Sequence, residues 1–292
     1  MRLHPRFISR LTPTFLCLMG LLVTSPAQAV FFNPPGNQIP SSIGGNSRRG
    51  GCAIDETTSE SGTTQALPER LVAFLPITPD PSKVVALTTQ ASASLWVYVP
   101  PTRAQSVEFS LFDNVSGSFV YSGRFPIEAT GIYQINLPAS VPLKVDQPTA
   151  PQDYTWFLDL VCEPNNPAAN LSQTGTLKRI APAAAGEGLE QQLAAAMNSF
   201  DRAKAYGSYG LWLDMVGAIV AGTAGGGTSP AQTPQASGNH ADHLQQEWYN
   251  VLDMALPVSE REDVDRTQQL KVLQEANLFT AELSEIMLES DI

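Results

Sequence analysis

The chain has 292 residues, 43% of them hydrophobic and 15% charged, and a formal charge of −11. There is enough chain and apolar content for one large or two modest domains. The acidic balance argues against nucleic acid, which needs a basic surface, and against plain electrostatic attachment to anionic lipid.

Arg2, Arg6 and Arg10 precede a short apolar run, Phe15 to Val23, and then Ala27-Gln28-Ala29. This is the pattern of a secretory signal with a small-x-small cleavage site. It makes residues 1–29 a signal peptide and Val30 the expected start of the mature chain, at a formal charge of about −14 once three arginines are removed. The run is too short to span a bilayer, and no later segment reaches the roughly 18 apolar residues that a span requires. An exported protein, periplasmic or extracellular, with no transmembrane segment in the mature chain is expected.

Cleavage removes Cys17 and leaves Cys52 and Cys162. An even pair in an oxidising compartment reads as one disulfide, which would add about 4–5 kcal/mol in the chain-entropy model; two free buried thiols are the alternative. Residues 30–66, crowded with Pro, Gly, Ser and Thr, read as an extended disordered arm carrying Cys52.

From residue 67 to 181 the texture is short β-rich runs between turn residues. Strands are expected near Arg70–Pro76, Val84–Thr89, Leu95–Val99, Val107–Phe112, Phe119–Phe125, Ile132–Leu137, Tyr154–Cys162 and Thr174–Ile180. In Tyr154–Cys162, Tyr154, Trp156, Leu158, Leu160 and Cys162 share one parity and face a core, while Thr155, Phe157, Asp159 and Val161 form a mixed opposite face. Closely spaced strands without intervening helices predict an antiparallel immunoglobulin- or fibronectin-like β-sandwich.

After residue 181 the period becomes helical. Leu189, Leu193, Met197 and Phe200 mark one helix, and Asp201 caps a second that carries Ala205, Tyr209, Trp212, Val216 and Ile219. Leu244, Trp248, Leu252 and Ala255 mark a third. The predicted fold is therefore α+β, with a small helical hairpin module over 186–256 interrupted by a flexible Gly/Ser/Pro insert at 222–239. An acidic tail, 257–292, follows with an amphipathic helix over Val264–Met287. Sixteen acids against five bases lie after residue 185, which reads as a solubility feature.

Gly51-Cys52, the strand Leu71–Pro76, LWVYVP at 95–100, VEFSLFD at 107–113, YTWFLDLVCEP at 154–164 and YGSYGLWLDMV at 206–216 occur in an order that resembles the secreted cyanobacterial domain-of-unknown-function family numbered nine-two-eight. The resemblance covers about Cys52 to Leu256. It implies an envelope or extracellular location and a partnership of the two cysteines, and it assigns no activity. Tyr206, Gly210, Leu211 and Trp212 also resemble part of one tetratricopeptide-like hairpin, although about three such units are needed to bury a continuous core.

Histidines are scarce: His240 and His243 are the only ones after residue 29, both beside the flexible insert. That disfavours a Ser-His-Asp or Cys-His centre. His240, His243 and Glu247 stack along one helix face at i, i+3 and i+7 and form a weak metal candidate beside the reading of a solvated helix start. Asp113, Asp153, Asp159 and Glu163 are the carboxylates available to a glycosidase-like pair, with Asp159 placed by its parity either toward solvent or in a pair with an arginine such as Arg103 or Arg124. Trp96 with Tyr98, or Phe112 with Phe119 and Tyr121, form aromatic platforms if they face solvent and core if they do not. The reading taken is a non-catalytic interaction protein without a cofactor that binds a protein or envelope component. The alternative is a carboxylate-based envelope hydrolase or carbohydrate-active enzyme.

Overall fold

The computed structural model describes residues 30–33, 71–76, 85–163, 165–166, 169–224, 237–256 and 263–286. The predicted signal segment, Cys52 and residues 225–236 of the predicted insert lie outside the described residues. Among the described residues the chain is α+β, with ten strands in two sheets and six helices.

The eight predicted strands form: β1 (Val72–Ala73), β2 (Val85–Thr88), β3 (Ser94–Val99), β4 (Ser106–Asp113), β5 (Ser118–Pro126), β6 (Gly131–Asn136), β7 (Tyr154–Leu160) and β8 (Leu171–Arg179). β4, β7 and β8 bury alternate residues, as strands with one face on a core and one toward solvent must. β3 differs, since every residue from Leu95 to Val99 is buried. Leu95, Val97 and Val99 share a face with Tyr133, whose ring meets Phe125 of β5 at 5.4 Å. Trp96, on the opposite parity, lies against Gly217 of the helical side. A strand covered on both faces reads as a continuous apolar run.

The larger sheet has the order β10-β5-β4-β7-β8-β2, and the smaller β1-β3-β6-β9. β9 (Leu278–Ala281) and β10 (Ser284–Glu285) come from the acidic tail. The expected helix over Val264–Met287 is thus corrected: α6 spans only Asp263–Glu275. Phe279 sits in β9 and stacks on Tyr133 at 5.0 Å. The 4-and-3 spacing of Phe279, Leu283 and Ile286 imitates a helix, but the open edge of β6 supplies a ladder for this segment, and tertiary pairing overrides the pattern. The expectation of wholly antiparallel sheets is corrected as well, because β2 runs parallel to β8 and β9 parallel to β6. Both are edge strands reached by long connections, the condition under which parallel pairing is possible.

The other helices are α1 (Pro182–Ala185), α2 (Leu189–Ala195), α3 (Ser199–Ser208), α4 (Trp212–Ala224) and α5 (Ser237–Ala255). The run from Leu189 to Phe200 is not one helix. Asn198 caps α3 by accepting the Asp201 N–H at 2.8 Å, and Met197 is left in the break, 92% exposed. Nor does the second predicted helix run unbroken to Ile219: Gly210, at φ +70°, stops α3 and starts the turn into α4, a conformation that other residues adopt at a cost. Trp212 to Val216 are all buried, and the Trp212 indole N–H donates to the Phe74 carbonyl at 3.0 Å. One hydrophobic cluster runs from both sheets into α3, α4 and α5. The first four residues of the predicted arm, Val30 to Asn33, are seated on these helices, with Phe32 edge-on to Trp212 at 4.9 Å. No helix among the described residues is long and apolar enough to cross a membrane.

Candidate interaction face

The outer face of the larger sheet is set by strand register. Arg124, Glu108, Asp159 and Ser172 stand opposite one another across β5, β4, β7 and β8. Arg124 pairs with Glu108, and the Ser172 hydroxyl donates to Asp159. Burial raises the Asp159 carboxyl above its ordinary value, the serine hydrogen bond opposes this, and the Glu108 charge adds to it. The arginine therefore serves Glu108 and not Asp159.

Further along the same face, Phe112 meets Phe119 at 5.3 Å and Phe157 at 5.6 Å, both edge-to-face. Phe119 and Phe157 are each 38% exposed, and Val115 in the adjoining turn is 58% exposed. Ser110, Ser122, Thr155, Thr174 and Thr176 share this face by register. The result is an aromatic patch bordered by hydroxyls on one side and by the charged row on the other. It is held rigid by four-strand pairing and by the β4–β5 turn, where the Asp113 carboxylate accepts the N–H groups of Val115 and Ser116 at 2.9 and 3.1 Å. Burial would raise the Asp113 carboxyl, but the hydrogen bonds at Ser116 and Val115 overcome it and bring it down to about 2.

The expected aromatic groupings are redrawn. Trp96 and Tyr98 are core, 2% and 0% exposed. Phe112 and Phe119 do pair at the surface, but Tyr121 does not join them. The ladder shifts between Leu111 and Phe112, so Leu111 opposes Tyr121 while Phe112 opposes Phe119. That bulge turns Phe119 and Tyr121, two residues apart, to opposite faces. Phe157 takes the vacated role; its place on the polar parity of β7 was the signal available in the sequence.

The other candidate residues do not converge. Asp153 accepts a hydrogen bond from Asn114 Nδ2 at 3.3 Å and Glu163 one from Asn166 Nδ2 at 3.0 Å. His243 stacks on Phe200 at 5.8 Å, the His240 side chain lies outside the described residues, and Glu247 turns inward to Val30 N and Asn250 Nδ2. The described residues contain no group of three or more His, Cys, Asp or Glu placed to hold a metal ion. Cys162 follows β7 and packs against the core, its N–H donating to Asn170 Oδ1 at 3.2 Å.

On the helical side, a cavity of about 300 Å³ lies between β2, β3 and α3–α4, lined by Trp96, Arg202, Tyr206 and Asp214 among others. Asp214, a residue the sequence did not single out, is 7% exposed. Its Oδ1 accepts the Thr88 hydroxyl at 2.9 Å, and its Oδ2 accepts the Thr89 N–H at 2.7 Å and the Thr89 hydroxyl at 3.0 Å. Burial raises its pKa against these bonds, and desolvation, aided by the Asp214 charge, also raises Tyr206. With both oxygens engaged by β2 and its flank, Asp214 acts as a tie between α4 and the larger sheet.

Residues 43–254 match the family model described as Domain of Unknown Function (DUF928). The chain belongs to the DUF928 family. The match covers the larger part of the chain and includes the aromatic patch, the Asp214 tie and most of α5, and the family carries no assigned activity. No curated protein and no solved structure matches the chain significantly.

Proposed function

We propose that this is an exported, non-catalytic interaction protein that holds a protein partner of the envelope on the outer face of its larger sheet. The supporting observation is the Phe112–Phe119–Phe157 cluster, exposed on a rigid face where ordinary core packing has no use for it. Aromatic side chains supply large contact area at low entropic cost, and surrounding hydroxyls allow adaptable hydrogen bonding. Phenylalanine, lacking a polar tip, favours a protein surface over a glycan. Export rests on the Arg-rich start, the short apolar run and Ala27-Gln28-Ala29. The Cys52–Cys162 disulfide belongs to the same reading, as does the immunoglobulin- or fibronectin-like sandwich with a helical module beside it; the Phe125–Tyr133 contact between the sheets supports the sandwich, while the parallel edge pairs depart from it.

The test is photo-crosslinking in the producing cell, with a benzophenone amino acid at Phe157 and, as control, at the exposed Glu190 of α2. A discrete protein adduct at 157, missing at 190 and lost on Phe119→Ser, is expected. The hydrolase alternative draws on one observation, Glu108 beside Asp159 with the latter raised, and so narrows from Asp113, Asp153, Asp159 and Glu163 to Asp159 with Glu108. Turnover of a glycan or ester that disappears in Glu108→Gln and Asp159→Asn would favour it.

A further inference from the structure

Glu247 of α5 is a buried carboxylate, 5% exposed. Its Oε2 accepts from Asn250 Nδ2 at 3.0 Å, and its Oε1 lies 2.9 Å from Val30 N. No lysine, arginine or histidine side chain pairs with it among the described residues. A carboxylate removed from water calls for a charge partner or a full set of donors, and two neutral donors are a thin supply.

The segment that delivers Val30 N is seated closely. Val30 and Phe32 pack against the core while Phe31 between them is 70% exposed, the alternation of an extended strand. The Asn33 N–H donates to the Gly207 carbonyl at 2.9 Å and its Nδ2 to the Ser208 carbonyl at 3.4 Å. Gly207 leaves room for this backbone: a Cβ there would stand 2.7 Å from the Phe31 carbonyl oxygen.

The sequence separately places a peptidase cut between Ala29 and Val30. We propose that the protein contains a socket for its own newly made N-terminus, in which the α-ammonium of Val30 is the counter-ion of Glu247. Water hydrolyses the Ala29–Val30 amide under a signal peptidase; Ala29 leaves as a carboxylate and the amine on Val30 takes a proton. At one atom, a neutral amide with a single hydrogen becomes a cation with three donors, facing a carboxylate already in place. Processing thereby fastens residues 30–33 across α3, α4 and α5, which the uncut chain holds with one amide hydrogen bond at this carboxylate. The cut rests on the export reading given above; the socket rests on geometry.

The test uses the full chain exported from its own signal. Mass analysis should give Val30 as the first residue; a processed chain that begins elsewhere would overturn the socket alone, and an unprocessed chain beginning at Met1 would overturn the socket and the export reading together. The α-amine of the folded protein is then acylated with an N-hydroxysuccinimide ester and followed on the N-terminal peptide. It should react at least about tenfold more slowly than an exposed amine, since the reagent must await local opening. Glu247→Gln, Gly207→Ala, and insertion of Gly-Ser between Ala29 and Val30 should each restore fast labelling and lower Tm. If the chain begins at Val30 but its amine labels as fast as that of the insertion variant, export stands and the socket falls. Should Glu247→Gln fail to fold, the insertion variant carries the same comparison.

Discussion

Replacing Asp214 by alanine should weaken the attachment of α4 to the larger sheet. The change strands the Thr88 hydroxyl, on a residue 0% exposed, and the Thr89 N–H. Each buried donor left without an acceptor costs about 1–3 kcal/mol, and relief of the buried charge offsets part of it, so a net loss of about 3 kcal/mol is expected, or roughly 6–12 °C in Tm for a chain of this size. Asp214→Asn should lose less, because its amide oxygen still accepts one donor. The pH profile adds a sign. With the folded pKa raised by burial, the folded state binds the proton more tightly than the unfolded chain, so this group makes stability fall as pH rises from near its ordinary value of 3.8 through the raised folded value. Urea titrations followed by far-ultraviolet circular dichroism across that range would measure both. A loss in Asp214→Ala below about 0.5 kcal/mol, the scale of an ordinary surface substitution, or a slope unchanged in Asp214→Asn, would refute the assigned role.

Asp113 has the opposite sign: its folded value of about 2 lies below the ordinary 3.8, so its contribution is present above 3.8 and is lost as pH falls through 2, and Asp113→Asn should flatten acid unfolding in that window. Non-reduced peptide mapping of exported protein should link the peptides of Cys52 and Cys162; free thiols at both positions would contradict the pairing. Trp156→Ala, which empties a site 0% exposed in the middle of β7, should cost about 3–5 kcal/mol by equilibrium denaturation.

Strand positions were legible because β4, β7 and β8 alternate and because turn residues separate them, as Asp113, Asn114 and Gly117 do between β4 and β5. Partners were not. The parallel attachment of β2 and β9 depends on which sheet edges remain open after the hairpins form, and no periodicity records that. The patch was half visible: Phe112 and Phe119 could be named, but a one-residue bulge decided that Tyr121 leaves and Phe157 enters. Asp214 was hidden for a different reason. In sequence it is one acid within an apolar helix, and only the fold brings Thr88 and Thr89 to it. Glu247 was noticed as a metal candidate by its spacing from His243, yet spacing along α5 says nothing about Val30, more than two hundred positions away, which is its partner.

The most direct test of the proposed function is crosslinking from position 157 in the producing cell. A discrete protein adduct that is absent from position 190 and lost on Phe119→Ser is the predicted result. Identical adduct patterns from the two positions, or an adduct at 157 that survives Phe119→Ser, would contradict the assignment of this face as the binding surface.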